Sequence, residues 1–402
     1  MKTYTLAIVG LGSRGGQLYS VLKHREYVDV VAVCDTVAAT AAAFADRVEA
    51  DGRHRPATYT DYRACLDTEK PDIVVIATSW LYHLEISIYA MEHGIIPACE
   101  VGGAYSVHSL WELVRTYERT RTPIMFLENA CYHRIKLLAL SMKRAGCFGE
   151  LVHCEGGYRH DLRKQICTGQ ETGHYRMTEY ICRNGENYPT HEIGPIAKLL
   201  DINCGNRFLS LYTIGSKSVG LPHYVADRGI SGLEGVRFNQ SDVVSTLIKC
   251  QNGETVFIAL DTSLPRYYSR SFVAEGTRGM ISEDVGAVYL DNGEDKHVTW
   301  DKCAGNLDEY YARYEHPLWE KKGTVDAHGG IDTLEFDDFF RALDAGEDMP
   351  IDVYDMATWM VITTLSEESI ATGNAVAFPD FTDGKWTVRK NRFALPEYYR
   401  KG

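Results

Sequence analysis

Residues 3–22, "TYTLAIVGLGSRGGQLYSVL", decide the reading of the fold. A short β-rich run ends at Val9, the chain turns through Gly10, Gly12 and Gly15, and helical spacing follows. G-x-G-x-x-G alone is a weak signal. Here it leaves a strand, opens a helix, and is followed twenty residues after Gly15 by Asp35, at the end of a second strand, "VDVVAVCD". In that context the glycines let backbone amides approach a pyrophosphate at a helix amino terminus, while the carboxylate accepts from ribose hydroxyls. Thr36 and Val37 follow Asp35, and no arginine lies close by to neutralise a 2′-phosphate, so NAD is expected over NADP.

Outward from this stretch the same rhythm continues. "PDIVVIATS" suits a central parallel strand, "YHLEISIYAMEHG" a helix closed by Gly94, and "IIPACE" another strand. Ligands in such sheets lie beyond the carboxyl ends of the strands, which singles out Ser79, Trp80 and His83 after one strand and Glu100 after another. His83 reads equally well as a solvated residue at a helix start.

From "PIMFLENACYHRIKLL" onwards the strands lengthen and are joined by turns, with "QNGE" suited to a hairpin. The expected fold is α/β: an N-terminal Rossmann dinucleotide-binding domain over residues 1–129, then an α+β substrate-binding domain over 130–402 with a mainly antiparallel open sheet. Two helices, "IDTLEFDDFFRALDAG" and "DVYDMATWMVITTLSEESIATG", and a basic, aromatic tail close the chain.

The 402 residues exceed one ordinary core, in keeping with two domains. A formal net charge of −13 disfavours a nucleic-acid or anionic-membrane partner, since either needs a basic face. Eleven cysteines, scattered singly without a C-x-x-C pair, read as reduced thiols in the cytoplasm. No apolar run reaches membrane-spanning length and no signal peptide is visible.

A second stretch carries chemistry. In "NGENYPTHEIGPIAKLLD", residues 184–201, Pro189 suits a first helical turn and Ile193 to Leu200 suit a buried face, so Tyr188 and His191 would share one side. A phenol and an imidazole so placed are core residues, metal ligands or an acid/base pair. A metal held by His191, Glu192 and the distant His328 lacks the usual ligand spacing, and no metal is expected.

The whole chain resembles the NAD-dependent glycoside hydrolases of the Gfo/Idh/MocA superfamily, whose named activity is α-N-acetylgalactosaminidase. The matching segments include "GLGSRG", "SWLYH", "EVGGA", "ENACYHR", "NYPTHEIGPIAKLLDINCGNR", "DTSLPRYYSR" and "HGGIDTLEFDDFF". Superfamily dehydrogenases usually carry Glu-Lys-Pro where this chain has Glu100, Val101 and Gly102. Without that lysine, acid/base work falls to the second domain. The resemblance implies oxidation at carbon 3 of the sugar, removal of the carbon 2 proton, elimination, addition of water and return of the hydride. Paired carboxylates are then unnecessary.

By the same resemblance Tyr188 and His191 serve as base and proton relay, Tyr132 matches a tyrosine near carbon 2 and could equally be the base, and Glu100 lies near the reacting ring. Arg176, Tyr268 and His83 would hold the sugar. Gly10, Gly12, Ser13, Arg14, Gly15, Asp35, Ser79, Trp80, His83, Glu100 and Asn129 would hold NAD. Each has a plainer reading: Tyr188 and His191 as packing, Arg176 as a partner of Glu179 or Glu186, and Tyr267 in place of its neighbour Tyr268. The family's "EVP" and "THGLGP" appear here as "EVG" and "THEIGP", so Glu192 adds a carboxyl beside the relay. Many relatives carry an export leader, whereas this sequence opens on its first strand, which points to small glycosides inside the cell. A dehydrogenase of the same superfamily is the competing reading, and a homo-oligomer is left open.

Overall fold

A computed structural model describes residues 2–172, 174–294, 297–320 and 328–399; the last three residues of the basic tail lie outside these. The chain forms two compact units.

The first unit is built on strands β1 (Tyr4–Val9), β2 (Val28–Cys34), β3 (Ala57–Tyr59), β4 (Ile73–Ile76), β5 (Ile96–Glu100) and β6 (Met125–Leu127). They pair in parallel in the order β3-β2-β1-β4-β5-β6. The four residues of β4, Ile-Val-Val-Ile, are all buried, as a strand covered on both faces requires. Strand order reverses between β1 and β4, which places the ligand crevice beyond the carboxyl ends of those strands, where Gly10 and Ala77 follow them.

Met1–Tyr132 make up most of this unit, joined by the described residues of Lys321–Ala357 and by Arg392–Leu395. A boundary at 129/130 had left these later segments with the second domain. The helix Ile331–Ala345 explains their place: the Phe340 ring lies 5.6 Å from that of Tyr4 and meets Tyr27 edge-on at 5.2 Å, and Arg25 donates to Asp337. Gly346, at φ +63°, ends this helix, as its left-handed position favours.

The second unit carries β7 (Leu151–Arg159), β8 (Phe208–Gly215), β9 (Val243–Cys250), β10 (Thr255–Asp261), β11 (Val273–Gly276), β12 (Gly279–Ser282), β13 (Ala287–Leu290) and β14 (Val376–Ala377). Their order is β13-β12-β11-β7-β10-β9-β8-β14, and every pairing is antiparallel except β7 with β10. "QNGE" forms the turn between β9 and β10, opposite the pairing Thr255↔Lys249. Alternation is clear in β9, where Val244, Ile248 and Cys250 are buried and Leu247 is exposed. The helix Thr190–Leu199 packs on the buried face at Gly156; a Cβ there would lie 3.0 Å from the carbonyl oxygen of Glu192. That close approach sets the height of Tyr188 and His191 over the sheet. Among the described residues no helix is long and apolar enough to cross a membrane, and no group of three or more His, Cys, Asp and Glu side chains could hold a metal ion.

Candidate active site

In the first unit the glycine turn has the form a dinucleotide needs. Gly10 has φ +91°, and a Cβ on it would meet the backbone of Ala77 and Thr78 at 2.6–2.7 Å. A Cβ on Gly15 would stand 2.1 Å from the Gly10 oxygen, whereas one on Gly12 meets nothing within 4 Å. Gly10 and Gly15 are therefore closed in by backbone, and Gly12 faces open space. The helix Ser13–Leu22 starts there without a side-chain cap, so its leading amides are available to an anion. Asp35 accepts from Leu11 N and Val37 N at 3.0 Å each, which fixes its carboxylate at the end of β2 with acceptor capacity to spare. This turn fits the pyrophosphate and ribose of NAD.

Arg14 occupies the turn but points into a carboxylate network. It donates from Nε to Glu100 at 2.6 Å and bidentately to Asp332 at 2.7 and 2.9 Å. Asn129 donates to the same Asp332 at 2.7 Å, and His328 Nδ1 lies 2.8 Å from it. Burial works against the charge of Asp332, but the bonds from His328 and Arg14 prevail and hold it well below the usual carboxylate range. Burial raises Glu100, with Arg14 opposing, and raises fully buried Glu335 well above its ordinary value. Arg14 and Asn129 are thus accounted for by this network.

Ser79 stands at the amino end of the helix Trp80–Glu92, and Trp80 is buried with its ring where a Cβ of Gly102 would fall. His83 is buried, not a solvated helix-start residue; its Nε2 faces the Thr78 carbonyl at 3.0 Å, and burial lowers its pKa to about 4. It is a neutral imidazole tied to backbone. Tyr132 is fully buried and donates to Asp338 at 3.0 Å, with its ring against Phe393. It lies in the first unit, whereas Tyr188, His191, Arg176 and Tyr268 gather in one cluster.

That cluster belongs to the second unit and centres on Tyr158 of β7. Tyr158 stacks 4.6 Å from Tyr188 and 5.8 Å from His191, while the Tyr188 hydroxyl and His191 Nε2 are 3.3 Å apart. The Arg176 guanidinium is 4.8 Å from the Tyr188 ring. Glu179, one proposed partner of Arg176, lies 3.6 Å from Arg183. Tyr268 packs edge-on to His160 at 5.1 Å and is 52% exposed, against 73% for Tyr267, so Tyr268 is the less exposed of the pair. Sequence reasoning missed Tyr158, His160 and Arg270. Arg270 lies 4.8 Å from the Tyr158 ring and 5.1 Å from that of Tyr268.

Beside the cluster, Glu186 and Glu192 are buried, and their carboxyls act on each other. Burial, followed by the mutual interaction of the two carboxyls, raises Glu186 well above the ordinary value. Burial likewise pushes Glu192 up, to about 8.

Residues 132–388 match the family described as "Glycosyl hydrolase 109, C-terminal domain", and residues 4–125 match "Oxidoreductase family, NAD-binding Rossmann fold". A glycosyl hydrolase family 109 protein of Stenotrophomonas maltophilia is 38% identical, with 98% of this chain and 92% of that protein covered. The chain belongs to glycosyl hydrolase family 109. An α-N-acetylgalactosaminidase of Tannerella forsythia is also 38% identical, over 96% of this chain and 88% of that one. The fold is shared with scyllo-inositol dehydrogenase of Lactobacillus casei, solved with NAD(H) and scyllo-inositol, at a TM-score of 0.65 and 14% identity over 94% and 99% of the two chains. This member of family 109 is therefore a glycosidase with an NAD-binding Rossmann domain and, as expected from sequence, a mixed, mostly antiparallel second sheet. Val101, next to Glu100, is a buried apolar side chain.

Proposed function

We propose that this family 109 glycosidase cleaves N-acetylgalactosaminides by transient oxidation, elimination and addition of water. The observation that carries the reading is the Tyr188–His191 contact of 3.3 Å beside Arg176, in a chain whose other unit has an NAD-binding turn. The turn of Gly10, Gly12 and Gly15 with Asp35 would hold NAD, which would supply hydride-acceptor and hydride-donor chemistry for carbon 3 of the sugar.

Once carbon 3 is a carbonyl, the hydrogen on carbon 2 becomes acidic and a side-chain base suffices. His191 Nε2 is placed to accept the Tyr188 proton, and the adjacent Arg176 guanidinium favours the phenolate electrostatically. Tyr188 then takes the carbon 2 proton, and the glycosidic oxygen leaves. A phenol near pKa 10 needs such neighbours, whereas imidazole, near 6.5, exchanges protons readily at neutrality. Arg176 and Tyr268 hold sugar hydroxyls. The N-acetylgalactosaminide preference rests on the names of relatives.

The test is hydrolysis of nitrophenyl α-N-acetylgalactosaminide by purified protein. We expect steady nitrophenol release without added NAD and without net reduced nicotinamide, loss on stripping the cofactor, and recovery when it is restored. Stoichiometric NADH would instead indicate a dehydrogenase.

A further inference from the structure

We infer that Arg270 is a catalytic cation, donating hydrogen bonds to the oxygen on carbon 3 while negative charge develops there during removal of the carbon 2 proton. This rests on the elimination reading above. Arg270 is 8% exposed, and among the described residues its Nε and Nη1 have no hydrogen-bond acceptor. Glu283, a carboxylate that acts on it electrostatically, is bonded to the Lys136 ammonium, and the hydroxyls of Ser269 and Ser271 go to Asp284. Tyr268 shares a hydrogen bond with Arg270, and Glu192 as well as Glu283 acts on it electrostatically, yet none of them takes the N–H groups of Nε and Nη1, and buried donors without an acceptor are costly. The missing partner is an oxygen supplied from outside the protein.

Position says which oxygen. The Tyr158 ring touches the acid/base pair on one side, at 4.6 Å from Tyr188 and 5.8 Å from His191, and Arg270 at 4.8 Å. Arg176 is the cation beside the Tyr188 ring and suits the phenolate; Arg270 faces Tyr158 and Tyr268 and suits the substrate. When the carbon 2–hydrogen bond breaks, the proton passes to Tyr188 and the electron pair enters the carbon 2–carbon 3 bond, so the carbonyl oxygen becomes an enolate oxygen. The pair then moves to form the carbon 1–carbon 2 double bond, the carbonyl is restored, and the glycosidic oxygen leaves with its bonding electrons and takes up a proton. A preplaced guanidinium gains most at the enolate, which makes its effect one on rate, not on affinity.

The experiment compares full-length, NAD-loaded wild type with R270Q, R270K and R270A on nitrophenyl α-N-acetylgalactosaminide in deuterated water, reading kcat, KM, deuterium exchange at carbon 2 and reduced nicotinamide in single turnover. We expect R270Q to lose about 100- to 1,000-fold in kcat and in exchange with little change in KM, as removal of an oxyanion donor does. Reduced nicotinamide should accumulate in that variant, R270K should fall between it and wild type, and guanidinium ion should partly restore exchange in R270A. Thermal melts and NAD content separate misfolding from these effects, and the rescue does so independently. Undiminished exchange in R270Q, or a rise in KM alone, would overturn the role of Arg270. Wild-type turnover without exchange would overturn the elimination reading and this inference together.

Discussion

Arg14 stands in the glycine turn, yet its guanidinium is engaged by Glu100 and Asp332. A motif fixes where a residue lies along the chain; which way a long side chain turns depends on partners that the motif does not contain. Here the partner is Asp332, over three hundred residues away. Removing one member of a buried charge network leaves the others uncompensated, so Asp332→Ala should destabilise the first unit by about 3–5 kcal/mol, read from denaturant unfolding. At the proposed acid/base pair the expectation differs. Tyr188→Phe should lower kcat by about 100- to 10,000-fold, with bound NAD and melting temperature close to wild type, as loss of a proton-transfer group does. A Tyr188→Phe enzyme of normal activity would remove Tyr188 from the mechanism.

At the scale of single elements, the glycine turn is the part most fully legible in sequence, because its conformation is local. Gly15→Ala would force a Cβ to within 2.1 Å of the Gly10 oxygen, so the turn must open, and NAD should no longer co-purify; spectroscopic measurement of bound dinucleotide checks this. The helix Thr190–Leu199 was also legible, from Pro189 and the apolar run, with Pro189 falling one position before its first residue. The buried carboxyl pair was not: the sequence puts Glu192 beside His191 but does not show Glu186 folded against it. Both carboxyls are raised in the folded chain, so it retains a proton that the unfolded chain has released. Their contribution to stability is present below about pH 4.5 and is lost as pH rises towards about 8. Glu192→Gln should accordingly raise the melting temperature relative to wild type at pH 8 and by less at pH 5, by about 2–4 °C for each kcal/mol recovered.

For the whole molecule, the two-unit architecture and the β-rich character of the second unit followed from periodicity, whereas the gathering of Tyr158, Arg270, Tyr268 and His160 did not. The bridge Arg159↔Ser269 joins positions that are remote in sequence, and its register alone brings Arg270 to the Tyr158 ring. The return of Ile331–Ala345 to the first unit is equally non-local and rests on aromatic packing with Tyr4 and Tyr27. The function argued from these parts divides redox chemistry and proton transfer between two units that each fold around their own sheet. Its central claim is that the sugar loses the hydrogen on carbon 2 and regains one in every turnover. Hydrolysis in deuterated water, followed by mass spectrometry of the released sugar, tests this most directly: we predict deuterium at carbon 2, and full turnover with the original hydrogen retained there would contradict it.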